Sequence, residues 1–291
     1  MATNVYEIVT NRIISEMEKG IIPWHRPWCG VAEGARSYTT GKPYSLINQF
    51  LICEEGEFIT FKQAQKLGGS VKKGAKSKLV VFYQPLVKEA ETAEGEKKII
   101  NIPCLRYYNV FNIKDCEGIE PHNDIKPYEH TGSEAAERVI SDYIANNEPL
   151  KFQNDKPSNR AYYSPSEDKV VVPMLSQYAE ESEYYSTAFH ELTHSTMPKN
   201  RCNRVSEGKI AAFGDEVYSR EELVAEIGAN FLCNTLGINT KQSDRNSVAY
   251  LQNWIAALKS DSKMIIWAAS RAEKAANYIL GITAESEDSE K

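Results

Sequence analysis

Apolar residues recur with helical spacing in five segments of this chain. They are the first 20 residues, residues 133–147 and 219–232, and two segments near the C-terminus, 247–259 and 263–280. In each segment the apolar positions fall on one face when the residues are placed three or four apart. This periodicity predicts amphipathic helices that bury one face against a core.

Short runs of β-branched and aromatic residues predict strands at four further places, residues 79–83, 105–112, 161–164 and 169–173. The first two runs flank a charged segment, residues 88–98, which we interpret as an exposed loop. The last two are close enough to form a hairpin. With both helices and strands predicted along the chain and no internal repeat, we expect an α+β fold.

Charge divides the chain into two halves. Residues 1–127 contain 17 Lys and Arg against 15 Asp and Glu, a net charge of +2, whereas the remainder contains 17 against 25, a net charge of −8. A segment with little hydrophobic pattern separates the halves. We therefore predict a small α+β domain over residues 1–125, a linker over 126–132, a second domain over 133–282 and an acidic tail over 283–291.

The second half contains the pentapeptide His190-Glu191-Leu192-Thr193-His194. In a helix, His190 and His194 lie one turn apart on one face and can bind one divalent metal, most often zinc. Glu191 would then act as the general base for a water at the metal. The pentapeptide alone also arises by chance, so that its meaning depends on a third ligand elsewhere in the chain.

The helix predicted over residues 219–232 offers such a ligand. Glu222 and Glu226 are four residues apart beside its apolar stripe, a spacing at which two carboxylates repel each other. A metal would remove this cost if one carboxylate bound it and the other accepted a hydrogen bond from a ligating imidazole. The alternative is a solvated acidic face, with Glu221 and Glu222 favouring the N-terminus of the helix.

Together the two motifs resemble those of the gluzincin metallopeptidases, in which E-x-x-x-D follows the H-E-x-x-H helix. The matching segment here is Glu222-Leu223-Val224-Ala225-Glu226, with Glu in place of the usual Asp. The resemblance implies that His190, His194 and Glu222 bind the metal and that Glu226 orients a histidine. Glu226 is also an alternative third ligand, because it begins an E-x-x-x-N segment of its own.

Two further features of a zincin-like domain have candidates. An edge strand beside the metal can pair with an extended substrate, and Val170–Val172 is the candidate, with a purely structural strand as the alternative. Tyr218 precedes the third-ligand helix and could stabilise an oxyanion, although packing is the simpler role.

A cluster of lysines distinguishes the N-terminal half. Residues 62–78 contain six lysines, three glycines and no acidic residue. Such a cluster can neutralise phosphates without reading sequence, or it can be an ordinary solvated surface. The residues taken as candidates for phosphate contacts are Lys62, Lys72, Lys73 and Lys76.

Aromatic residues precede this cluster. Trp24 and Trp28 lie in a proline-containing segment with Arg26 between them. Single-stranded DNA binders combine aromatic side chains that stack on bases with cationic groups that contact the backbone. We therefore take all three residues as candidates for DNA binding, with core packing of the tryptophans as the alternative.

Several blocks of the chain resemble the ArdC-type antirestriction proteins. They are the segment Gly20–Trp28, the segments Tyr44–Asn48, Thr60–Ala64 and Tyr108–Asn112, and the H-E-L-T-H and E-E-L-V-A-E blocks. Phe61 stands where that family usually has Trp. The resemblance implies an N-terminal domain that binds single-stranded DNA and a zincin-like metallopeptidase domain that holds zinc. Such a protein of a mobile element would protect incoming DNA from host restriction, and a restriction subunit or another host protein could be its substrate.

The cysteines and the hydropathy indicate the compartment. No C-x-x-C pair is present and no apolar run approaches the length of a membrane span, which favours a reducing cytoplasm. Two other functions stay open from the residues alone. One is a metallopeptidase whose N-terminal half docks a protein. The weaker one is a DNA-processing enzyme, because two-metal nucleases favour carboxylate-rich sites.

Overall fold

The computed structural model describes residues 4–19, 22–25, 34–91, 97–122, 132–178, 180–204, 216–238 and 248–282. Its helices are α1 (Val5–Met17), α2 (Leu46–Ile52), α3 (Phe61–Lys66), α4 (Gly132–Ala145), α5 (Glu181–Ser195), α6 (Glu216–Thr235), α7 (Val248–Ser260) and α8 (Met264–Ile279). Its strands are β1 (Ala35–Ser37), β2 (Gly56–Ile59), β3 (Ser70–Val71), β4 (Lys78–Glu91), β5 (Lys97–Asn112), β6 (Cys116–Glu117), β7 (Lys151–Gln153), β8 (Tyr162–Ser164) and β9 (Lys169–Val171). Helices and strands mix in both halves, which confirms the predicted α+β class.

The first half of the chain builds a four-stranded sheet in the order β1-β2-β5-β4. β1 and β2 run parallel, whereas β2–β5 and β5–β4 are antiparallel. The last pair is a long hairpin in which Lys88–Glu91 pairs with Lys97–Ile100. The prediction of a loop over residues 88–98 is therefore wrong at both ends, because charged residues do not prevent strand pairing once a hairpin has set the register.

The second half contains a three-stranded sheet in the order β7-β9-β8. The predicted hairpin is present as β8 and β9, but β9 lies in the middle, since Val170 is aligned with Phe152 on one side and with Tyr163 on the other. The expectation that Val170–Val172 is a free edge strand is therefore wrong. β8, which pairs only with β9 among the described residues, takes the edge position.

One hydrophobic cluster connects the two halves of the chain. It contains buried residues of α1, α2, α5, α6 and α8, and Trp24 belongs to it. The 3-10 turn Pro23–His25 contacts α6, and the Trp24 ring lies 6.0 Å from the ring of Phe50.

Trp24 is only 1 % exposed, which contradicts its assignment as a platform for bases. Burying an aromatic side chain of this size stabilises the fold, and a buried ring has no face left for stacking. Arg26 and Trp28 lie outside the described residues, as does most of the predicted linker and the acidic tail. In the described ranges, no helix is both long and apolar enough to cross a membrane.

Candidate metal centre

Helices α5 and α6 pack closely against each other and carry the residues of the two motifs. Their close approach depends on Gly228, because a Cβ atom at that position would come within 2.9 Å of the Thr193 side chain. Thr193 is buried and its hydroxyl donates to the Phe189 carbonyl oxygen at 2.7 Å, so that it has little freedom to move. The glycine therefore brings the acids of α6 to the histidines of α5.

Three side chains of the motifs converge at this helix pair. The Nε2 atoms of His190 and His194 lie 3.2 Å apart. A carboxylate oxygen of Glu222 lies 3.5 Å from the first of these atoms and the other carboxylate oxygen lies 3.3 Å from the second. His190, His194 and Glu222 thus form a group whose candidate ligand atoms all lie within 4.8 Å of one another.

The spacing and chemistry of these atoms fit a divalent metal ion. Bonds of about 2.0 to 2.1 Å to a tetrahedral ion place neighbouring ligand atoms about 3.3 to 3.4 Å apart. The three separations above lie close to this range. Two imidazole nitrogens and one carboxylate oxygen are also a donor set found in catalytic zinc sites, where one position stays open.

Each histidine has a carboxylate on its opposite side. The Nδ1 atom of His190 lies 3.8 Å from Glu226, and the Nδ1 atom of His194 lies 3.4 Å from Glu221. Glu226 therefore stands behind a ring rather than among the three converging atoms. At these distances the contacts are electrostatic, and the His194 Nδ1 atom has no hydrogen-bond partner among the described residues. When a metal binds, such carboxylates can accept a hydrogen bond from Nδ1, which orients the ring and leaves the Nε2 lone pair free.

Glu221 is held by a buried arginine. Arg204 donates to both oxygens of Glu221, at 2.7 and 3.2 Å, and to the Thr193 carbonyl oxygen at 2.8 Å. Its side chain is 2 % exposed, so this ion pair is shielded from water. Arg204, Glu221 and His194 form a chain of contacts that ends at the converging ligand atoms.

The carboxylates make the site favourable for a cation. Burial alone would lower the pKa of His194, but the neighbouring Glu221 and Glu222 outweigh this effect and raise it well above its usual range. Burial would likewise raise the pKa of Glu222, but hydrogen bonds with the two histidines lower it strongly. Positive charge at the histidines is thus stabilised, as a bound metal ion would be.

Glu191 lies beside this group and is nearly enclosed, with 8 % of its surface exposed. Burial raises the pKa of its carboxyl group above the ordinary glutamate value, against the lowering effect of the two histidines. The backbone of Tyr163 on β8 also lowers this pKa, as the smallest of these effects. The edge strand therefore lies beside the predicted general base.

Glu221 and Arg204 belong to the site, although the sequence motifs do not indicate them. The sequence predicts only that Glu221 favours a helix N-terminus, yet α6 begins at Glu216 and Glu221 lies beyond its first turn. The number of histidines could have indicated Glu221. Each of the two ligating rings needs an orienting partner, and Glu226 can serve only one of them. No sequence pattern could have indicated Arg204, because its contact with Glu221 depends on the path of the chain after α5.

The remaining candidates lie elsewhere. Lys62, Lys72, Lys73 and Lys76 are all exposed, and the Lys72 Nζ atom donates to the Lys114 carbonyl oxygen at 2.8 Å. The Tyr218 side chain lies outside the described residues, so its assignment stays a prediction.

The Glu221→Gln variant is expected to bind metal about 10- to 100-fold more weakly than the wild type, because the loss of charge frees the His194 ring and leaves Arg204 buried without its partner. Competition with a chelating dye for Zn²⁺ and Mn²⁺ measures this affinity. Glu181→Gln, an exposed position on α5, removes the same charge and serves as the control. Wild-type affinity in Glu221→Gln would show that the contact with His194 has no role in metal binding.

Comparison with known proteins identifies the family. Residues 3–111 match the family model of the N-terminal domain of the anti-restriction factor ArdC, and residues 136–271 match that of a zincin-like metallopeptidase. The Mn(II)-bound crystal structure of the antirestriction protein ArdC from plasmid R388 is 30 % identical, with a TM-score of 0.73 over 97 % of this chain and 99 % of that chain. The chain belongs to the ArdC family. The resemblance drawn from its motifs and its zincin-like fold is thereby confirmed.

Other relatives extend this comparison. The metal-free structure of the R388 protein is 31 % identical, with a TM-score of 0.71 over 95 % of this chain and 97 % of that one. Two DNA primases TraC of Escherichia coli are 28 and 30 % identical over 94 % of this chain, which spans only 20 and 27 % of their lengths. An uncharacterised protein of Sinorhizobium fredii, y4eC, is 27 % identical over 95 % of this chain and 92 % of its own length.

Proposed function

We propose that this ArdC-family protein binds single-stranded DNA through its N-terminal half, hydrolyses peptide bonds at a divalent metal held by its C-terminal half, and protects incoming DNA from restriction. The observation that carries the peptidase assignment is the convergence of His190, His194 and Glu222 beside the buried Glu191. A structural metal site would not need a buried carboxylate beside its ligands that is not itself a ligand.

The proposed ligands are His190, His194 and Glu222, while Glu226 and Glu221 orient the two rings. When bound, the ion would polarise the scissile carbonyl group and acidify a water molecule. Glu191 takes the proton of the attacking water and passes it to the leaving amine.

Zinc is the metal that we propose, because two imidazole nitrogens and one carboxylate oxygen suit Zn²⁺. Manganese generally prefers oxygen ligands, yet the R388 relative has been crystallised with Mn(II). The affinities of the two ions are therefore to be compared directly.

The edge strand β8 is the proposed binding place for an extended substrate. Antiparallel pairing exposes alternate backbone groups at the open edge of a sheet. The Tyr163 backbone on this strand already contacts Glu191, so a peptide added along β8 would run past the general base. The substrate that we propose is a host protein, such as a restriction subunit or regulator.

The DNA-binding part of the proposal rests on the exposed lysines of residues 62–78 and on membership of the ArdC family. Cytoplasmic action is consistent with the described cysteines, which are all free thiols. The transfer of unmodified DNA into the recipient cytoplasm is the event at which such a protein would act.

A transfer assay tests the proposed function. A plasmid with unmodified restriction sites is transferred into a restricting host and into a host without the restriction enzyme, with and without this protein. We expect the protein to raise recovery in the restricting host alone. Equal recovery with and without the protein in the restricting host would contradict the proposal.

A further inference from the structure

The exposed middle of the β4–β5 hairpin has an unusual composition. Phe82 is 40 % exposed and Tyr108 is 36 % exposed, although both are large aromatic residues of the sheet. Their rings meet edge to face, with centroids 5.4 Å apart. Aromatic pairs of this kind are usually buried in a soluble protein, so their exposure indicates a surface that binds another molecule.

The register of the hairpin puts these rings and two cations on one face. Lys78 is aligned with Val110, the next row on the same face aligns Val80 with Tyr108, and the following row aligns Phe82 with Arg106. The aromatic pair therefore has Lys78 on one side and Arg106 on the other. We call Lys78, Phe82, Arg106 and Tyr108 the aromatic face.

The opposite face of the same hairpin packs against the main hydrophobic cluster. Val81 and Leu105 point there and are buried in the main hydrophobic cluster. Tyr107, the neighbour of both Arg106 and Tyr108, also points to that side and is 50 % exposed. On the aromatic face, Val80 and Val110 are buried in a smaller cluster with Ala35, Ile52 and Phe58. Phe82, Arg106 and Tyr108 lie beside this cluster and stay exposed.

Neighbouring side chains contact the aromatic face. Tyr108 lies beside the Tyr44 side chain, which lowers the pKa of Tyr108 against the raising effect of burial. Lys78 forms an ion pair with Glu54 at 3.0 Å, yet part of its side chain stays accessible. Arg106 is exposed, and the exposed Lys72, Lys73 and Lys76 lead directly into β4 at the Lys78 end.

We propose that the aromatic face is the surface on which this protein stacks the bases of single-stranded DNA. The inference rests on the proposed DNA-binding function and specifies its location, replacing the buried Trp24. Phe82 and Tyr108 offer flat apolar surfaces to successive bases, while Arg106 and the lysines at the other end contact phosphates. A duplex hides the faces of its bases, so the surface selects unpaired strands.

Fluorescence anisotropy of the full-length protein with labelled oligo-dT tests this proposal. The wild type is expected to bind at about 50 mM salt and to weaken steeply towards about 200 mM, and an unlabelled duplex should compete poorly. Phe82→Leu and Tyr108→Leu should each weaken binding roughly 5- to 150-fold, because leucine keeps the apolar bulk but cannot stack. Phe82→Tyr should retain near wild-type affinity.

Tyr107→Leu is the matched control, since it removes an exposed ring from the opposite face of the same strand. Its affinity should stay within about twofold of the wild type. Binding by the wild type with unchanged affinity in Phe82→Leu would overturn the aromatic face and leave the proposed DNA binding standing. An absence of any binding at low salt would contradict the proposed DNA binding itself, and the aromatic face with it.

Photocrosslinking gives a readout that does not depend on variant stability. Oligo-dT with 5-bromodeoxyuridine is irradiated with the wild-type protein and the crosslinked peptides are identified by mass spectrometry. We expect adducts on Phe82 or Tyr108. Adducts confined to other surfaces, or equal loss of affinity in Tyr107→Leu and Phe82→Leu, would contradict the proposal.

Discussion

The Glu222→Gln variant is expected to purify without bound metal, whereas Glu226→Gln should keep a weakened site. Glu222 lies 3.3 and 3.5 Å from the two Nε2 atoms that converge with it, so its charge is needed to hold the ion. Glu226 lies behind the His190 ring, 3.8 Å from Nδ1, and its loss should cost about 10- to 100-fold in affinity. Metal analysis and chelator competition measure both effects.

The two variants remove one negative charge each from positions one helical turn apart, so that each serves as the control for the other. His190→Ala should lose the metal as Glu222→Gln does. If Glu226→Gln loses the ion while Glu222→Gln retains it, the third ligand has been assigned to the wrong carboxylate. Circular dichroism of all three variants separates a lost ligand from a lost fold.

The Glu191→Gln variant is expected to abolish peptide hydrolysis while it keeps the metal. The removal of a positioned general base typically lowers the rate about 10²- to 10⁴-fold. Glutamine has nearly the same shape and can still contact the Tyr163 backbone, so that the fold and the ligand group should be preserved. Mass spectrometry of new protein termini in host cells that express wild type or variant identifies the cleaved protein.

The same variant separates the two activities of the proposal. We expect Glu191→Gln to give partial protection in the transfer assay, because the proposed DNA-binding surface is unchanged. Complete loss of protection, with metal content and DNA affinity both intact, would show that proteolysis is the mechanism of protection. Cleavage at the wild-type rate would remove Glu191 from the chemistry.

The helices that carry the metal site could be predicted because two independent signals agree there. The H-E-x-x-H spacing and the apolar stripe of residues 219–232 each require a helix, and α5 and α6 extend over both segments. The close packing of the two helices needed the structure. Gly228 is an ordinary small residue in the sequence, and only its contact with Thr193 reveals why a side chain would not fit.

The hydrophobic pattern of the sequence predicts neither the shortest strands nor the order of strands within a sheet. β1 and β7 have three residues each, which is too few to display an alternating pattern. The run of β-branched residues in β9 fits an edge strand and a central strand equally well. Pairing with β7, which follows α4 along the chain, decides that β9 is central.

Trp24 shows why composition alone misplaces a binding surface. Tryptophan beside arginine and proline fits a stacking site and a buried anchor equally well, and the choice depends on whether a neighbouring helix covers it. Here Phe50 of α2 and helix α6 enclose the ring. For Phe82 and Tyr108 the sequence predicts only strands, because it does not tell how far the core covers each face of a hairpin.

Anomalous scattering from crystals grown with Zn²⁺, and separately with Mn²⁺, tests the proposed metal centre most directly. We expect one strong peak per chain, about 2.0 to 2.2 Å from the Nε2 atoms of His190 and His194 and from a Glu222 oxygen, with Glu191 beside it and not bound to it. A peak coordinated by Glu226 in place of Glu222, or crystals without a peak at this helix pair when the metal is in excess, would contradict it.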